Sequence, residues 1–192
     1  MLAELVRRNR SYRRFYQEVP VDLQTLRDLV DLGRLASSGR NLQPLKYVLC
    51  CDREANAAIF STLAWAGYLK DWPGPAEGER PAAYIVVLGD TTISQNFGVD
   101  EGLALANVLL AATEKGLGGC ILGSVQWEKV RQILGIQPQY EILHVVALGK
   151  PKETVVIEPL GPEGDVKYWR DSAQVHHVPK RALQDVIVAE RG

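Results

Sequence analysis

Hydrophobic positions change period several times along the chain, and each change marks a predicted element. Across residues 22–35 (DLQTLRDLVDLGRL), Leu26, Leu29, Val30 and Leu32 recur at helical spacing. Asp22, just after Pro20 and Val21, is the predicted N-cap, because its carboxylate can accept from the first turn's unpaired amides. Residues 36–44 (ASSGRNLQP) break the period with turn formers. Lys46–Cys51 reads as a buried strand and residues 53–64 as a short helix. Residues 65–81 (WAGYLKDWPGPAEGERP) have no period at all and predict an aromatic loop. A loop this long in a compact domain is more often functional than idle.

Ala82–Gly89 predicts a central strand from its β-branched content. Asp100–Lys115 predicts a long helix whose Leu103, Leu105, Ala106, Val108, Leu109, Leu110 and Ala112 cover nearly every face. Such a helix is expected to be buried on all sides, within the core or against another chain. Gly116–Gly123 (GLGGCILG) reads as a glycine-rich turn entering a short strand, Val125–Leu134 as a helix, and Tyr140–Lys150 as a strand. The tail is less regular. Helices alternating with short apolar strands point to α/β or α+β with one main sheet, in a single domain spanning residues 1–192.

Composition narrows the class. The chain has 192 residues, 46% of them hydrophobic, with 22 Lys and Arg against 23 Asp and Glu. Those values exclude disordered, collagen-like and disulfide-knotted proteins. A net charge of -1 argues against a general nucleic-acid binder. The sum hides an asymmetry: Arg7, Arg8, Arg10, Arg13 and Arg14 face only Glu4 within residues 1–14, a local excess of +4 over a body of -5. That concentration suggests one localised anion site. No apolar leader and no run of about 18 apolar residues is present, so a cytoplasmic protein without a membrane span is expected. Cys50, Cys51 and Cys120 form no CxxC and are expected to be reduced, buried thiols. His144, His176 and His177 lack metal-ligand spacing, and no metal is expected.

Four segments can carry chemistry. In Asn9–Phe15 (NRSYRRF), guanidinium forks beside a hydroxyl suit a phosphate, although a solvated basic face or a contact with RNA or membrane has the same composition. Ser37–Pro44 (SSGRNLQP) offers hydroxyls and amides for a heterocycle edge, or simply terminates a helix. Gly116–Gly123 lacks both the lysine of a P-loop and a GxGxxG, so its glycines either expose backbone to a ligand or allow tight packing. Lys180 and Arg181 are a second basic pair that can join the first around one phosphate. No GxSxG or HExxH is present.

Taken in order, RSYRRF, ASSGRNLQPLKY, Asp100 with its long apolar helix, GLGGCILG, ALGKP and VPKR resemble the FMN-dependent nitroreductase family over most of the chain. The resemblance implies an α+β, three-layer nitroreductase-like fold with a mixed central β-sheet flanked by helices, in an intertwined homodimer. It implies FMN at the dimer interface and NAD(P)H as co-substrate. Hydride passes through flavin N5 to a small nitroaromatic or quinone-like acceptor in ping-pong order. NADH is not distinguished from NADPH. A flavin-binding protein without turnover, in a sensor or specialised redox role, is the alternative.

By position, the resemblance assigns Arg10, Ser11 and Arg13 to the FMN phosphate, ribityl and pyrimidine side, with Lys180 and Arg181 closing on the phosphate. Ser37, Ser38, Gly39 and Asn41 match a loop that crosses to the partner's flavin, and Ile121, Leu122 and Gly123 a strand end facing N5. Arg13 is the candidate for stabilising negative charge at N1/O2, ahead of Lys70. Asn9 stands where many relatives have arginine, and Arg8 or Arg14 is the candidate to replace that charge. Trp65, Tyr68 and Trp72 are candidates for a roof over the ring, with interface packing the other reading for Trp65.

Overall fold

The computed structural model describes residues 1–192. Five helices are present: α1 (Leu2–Arg8), α2 (Leu23–Gly33), α3 (Arg53–Phe60), α4 (Gly98–Glu114) and α5 (Trp127–Leu134). Seven strands accompany them: β1 (Leu45–Cys50), β2 (Ala83–Asp90), β3 (Gly118–Leu122), β4 (Tyr140–Gly149), β5 (Val155–Pro159), β6 (Trp169–Arg170) and β7 (His176–Lys180). Asp22 caps α2 as expected, accepting from the Thr25 amide at 2.6 Å. Asp52 does the same for α3.

The main sheet runs β1-β2-β4-β3, and each of its three pairs is antiparallel. Every residue of β2 is buried, because both faces of the sheet are covered. On one face, Ile59 of α3 and Val130 of α5 pack on Tyr84, Val86, Leu88, Val145 and Ala147. On the other, Leu26 and Leu29 of α2 with Leu105 and Val108 of α4 pack on Ile85, Val87, Val146 and Leu148. A bulge interrupts β4: Val87 pairs with His144 but Leu88 pairs with Ile142, leaving Leu143 extra.

Several expectations change. The mixed pairing appears in the main sheet only as one parallel bridge, Ser11 to Gly119. The tail is more regular than its pattern suggests, forming a second sheet, β5-β7-β6, with β5 and β7 parallel. It is held by side chains: the His177 ring stacks on Trp169 at 4.1 Å, with Glu158 3.0 Å from Nδ1 and Asp171 3.3 Å from Nε2. Helix α4 is not covered all round within one chain. Val99 is 76% and Leu103 43% exposed, and Ala106 continues that open stripe. Trp65 is a core residue, packed against Phe60 and the close approach of Gly74. Helix α1 escapes the pattern because it buries no residue and has no side-chain cap.

Candidate functional site

The site begins where the N-terminal segment lies along the edge strand β3. Ser11 bridges Gly119 in parallel, and the Tyr12 amide donates to the Gly119 carbonyl at 3.0 Å. A Cβ on Gly118 would sit 2.4 Å from the Tyr12 ring, and one on Gly119 would sit 2.7 Å from Leu109. Close packing explains these two glycines. Gly123 differs, since a Cβ there would meet nothing nearer than His144 Nε2 at 3.6 Å. Its bare backbone is not demanded by the chain's own packing. Beside it, Ile121 is exposed and Leu122 points into the core.

The arginines divide by role. Arg7 and Arg8 occupy the last turn of α1, where they offset its dipole. Arg10 donates to the Val6 carbonyl at 2.8 Å, while its Nε is buried without a partner. The Ser11 side chain is exposed. Arg13 lies 4.7 Å over the Tyr168 ring, with Nη1 3.2 Å from His176 Nε2. Burial pushes His176 down to about 4, and the charges of Arg13 and Arg170 add to this. His176 is therefore neutral near pH 7 and accepts at Nε2, which leaves its Nδ1–H buried and unpartnered. Arg14 cannot replace the charge missing at Asn9. It is committed to Glu79 through two 2.6 Å hydrogen bonds, and Glu79 also pairs with Lys152.

Glu153 organises this segment. Its Oε1 accepts the amides of Arg13 and Arg14, and its Oε2 accepts from Arg170 at 3.0 Å. Arg170 in turn lies 4.6 Å over the Trp72 ring. Sequence reasoning missed Glu153, His176 and Arg170. Their charge and imidazole have meaning only once β7 lies beside Arg13. Lys180 and Arg181 follow at the far end of β7, about 13 Å along the strand from His176. They share no hydrogen bond with Arg10, Ser11 or Arg13.

The 37–44 loop stands on Asp100. That buried carboxylate accepts from Ser38 Oγ and from the Gly39 amide, and Ser38 Oγ accepts from the Gln43 amide. The Ser38 hydroxyl is thus committed to loop shape, while Ser37, Gly39, Arg40 and Asn41 are exposed. Arg40, Asn41 and Gln43 have φ of 50°, 56° and 52°, a left-handed run that costs energy in non-glycine residues. No hydrogen bond joins this loop to Arg10–Arg13 within the chain. Tyr68 packs at a tilt against Tyr168, ring centroids 4.9 Å apart, and Lys70 is exposed. No helix is long and apolar enough to cross a membrane.

Comparison with known proteins agrees with this arrangement. The chain is 27% identical over 148 residues to an Archaeoglobus fulgidus protein named "Putative NADH dehydrogenase/NAD(P)H nitroreductase", covering 73% of this chain and 80% of the relative. It is 25% identical over 176 residues to the NADPH-flavin oxidoreductase of Vibrio harveyi, covering 83% and 69%. A crystal structure from Parabacteroides distasonis, of a protein bearing the same name as the first, superposes with a TM-score of 0.65 at 28% identity, over 79% of this chain and 87% of that one. The profile of the Nitroreductase family spans residues 6–150, from the arginine segment through the end of β4. With the cationic segment, the strained loop and the glycine strand end all inside that span, the chain belongs to the nitroreductase family.

Proposed function

We propose that this chain is an NAD(P)H-dependent FMN oxidoreductase that reduces a small nitroaromatic or quinone-like acceptor. It acts as an intertwined homodimer of three-layer, single-domain protomers. The carrying observation is the Ser11–Gly119 bridge, which makes one strip of a cationic segment and the unoccluded backbone at Gly123. The names of the Archaeoglobus and Vibrio relatives support the same activity.

The residues fit FMN. A phosphate suits the orphaned Arg10 Nε and the exposed Ser11, with Lys180 and Arg181 reaching in from the end of β7. When bound, FMN supplies a two-electron carrier between NAD(P)H and the acceptor. Arg13, clamped between Tyr168 and His176, presents fixed positive charge to the pyrimidine side, so little reorganisation is needed as negative charge develops. Amides of the Ile121–Gly123 strand end would hold the ring edge of the bound flavin. Ser37, Gly39 and Asn41 reach the partner's site from a loop that Ser38 and Asp100 hold in shape. The exposed stripe Val99, Leu103 and Ala106, with Leu183, Val186 and Val188 of the tail, is the apolar surface for dimerisation.

The test is purified protein loaded with FMN and given NADH or NADPH without oxygen. Bleaching of the yellow band is expected, and an unbleached flavin rejects turnover. Arg10→Ala and Arg13→Ala are each expected to weaken FMN about ten- to a hundredfold, from loss of a charged hydrogen bond. Unchanged affinity in both variants rejects the phosphate and pyrimidine assignments.

A further inference from the structure

His144 and Glu101 form a pair that touches the end of the strip from below. Alternation along β4 puts His144 on the α4 face with Val146 and Leu148. There its Nδ1 meets the Glu101 carboxylate, while the bulge at Leu143 leaves Ile142 on the opposite, α3–α5 face. Glu101 lies buried near the start of α4. Tyr47, Val87 and His144 are register neighbours across β1, β2 and β4. The Tyr47 hydroxyl is buried without a partner, and burial, reinforced by the charge of Glu101, pushes it up to about 12.

The titratable group in contact with His144 is Glu101 from α4; Tyr47 lies on β1 beyond Val87, and the residue just past β3, Gly123, offers only backbone. Neighbouring Asp100 is committed to Ser38 and Gly39. The Glu101 hydrogen bond raises the pKa of His144 against the opposing effect of burial. With Nδ1–H committed to Glu101, the second imidazolium proton sits on Nε2. That atom lies beside Gly123, on a side chain still 36% exposed.

We propose that His144, hydrogen-bonded to Glu101, is the proton donor to an acceptor bound against Ile121–Gly123. The proposal rests on the oxidoreductase reading above. A quinone takes two electrons and two protons to become a hydroquinone. Hydride accounts for both electrons and one proton. The second proton leaves His144 Nε2 for the remaining oxyanion: the N–H bond breaks, the O–H bond forms, and Nε2 keeps the electron pair. The neutral imidazole is recharged by water at its exposed edge.

A one-electron oxidant such as ferricyanide takes no proton, and so separates this role from a structural one. In FMN-loaded protein first reduced with NADH, His144→Gln is expected to slow reoxidation by benzoquinone about ten- to a hundredfold, and by ferricyanide less than about threefold. The fall of the benzoquinone rate with rising pH is expected to flatten in the variant. Independently of turnover, NMR of carbon-labelled histidines should place the His144 midpoint above 6.5, and Glu101→Gln should lower it. Equal losses with both oxidants, no loss with benzoquinone, or a midpoint at or below 6.5 overturns the proposal alone. Flavin that NADH does not bleach overturns the oxidoreductase reading, and the proposal with it.

Discussion

Two loops interrupt the periodicity of the chain, residues 36–44 and residues 65–81, and both look functional in sequence. They are built in opposite ways. The longer loop anchors itself inward at three points: Trp65 enters the core, Trp72 lies under Arg170, and Glu79 holds Arg14 and Lys152. The shorter loop turns side chains outward, stands on one buried carboxylate, and holds three non-glycine residues in left-handed conformations. Loop length is thus a weaker guide to function than where the backbone strain lies and where the side chains point. Residues 65–81 brace the scaffold, and residues 36–44 leave Ser37, Gly39 and Asn41 exposed.

That contrast can be broken by measurement. The largest effect is expected from Trp65→Ala, a loss of about 3–5 kcal/mol in denaturant unfolding, because a filled core site is emptied. A loss below 1 kcal/mol would make the long loop a surface feature after all. Asp100→Ala is next, at about 1.5–3 kcal/mol, from lost hydrogen bonds to a charged group, and should also weaken FMN. Unimpaired FMN binding there would deny the short loop its presenting role. Glu79→Gln is smaller, on the order of 1–2 kcal/mol near neutral pH after solvent screening. The Arg14 hydrogen bond, aided by Lys152, holds the Glu79 carboxyl down at about 2, from 4.5. Its stabilisation is therefore complete above pH 4.5 and drains away as pH falls toward 2. The gap between wild type and variant should close over that window in urea titrations. Gln43→Gly is smallest, within about 1 kcal/mol, since relief of left-handed strain offsets the added chain entropy.

The central elements were legible because each has a local cause. Asp22 caps its helix, Ala82–Gly89 is β-branched and doubly covered, and Tyr140–Lys150 ends at a Gly-Lys-Pro stop. The tail sheet was not legible, because its strands carry Pro159 and Pro179 and depend on Trp169, His177, Glu158 and Asp171 meeting in space. Within the site, residue types along Arg10–Arg13 were readable, but their division of labour was not. Only the fold shows that Arg14 is committed to Glu79 while Arg10 Nε has no partner. His144 was hidden for a third reason: alternation with Val146 and Leu148 gives its face, but only the fold brings Glu101 of α4 to its Nδ1.

The pairing of Ser11 with Gly119 also has a consequence for solubility. Strand β3 is an edge of the main sheet, and a bare edge offers unpaired backbone groups to any passing strand. Residues 11 and 12 cover part of that edge. The segment that positions Arg10 and Arg13 thereby acts as a guard against intermolecular strand addition. A chain in which it detaches bares Gly118–Leu122, so self-association is expected to rise whenever the N-terminal segment comes loose.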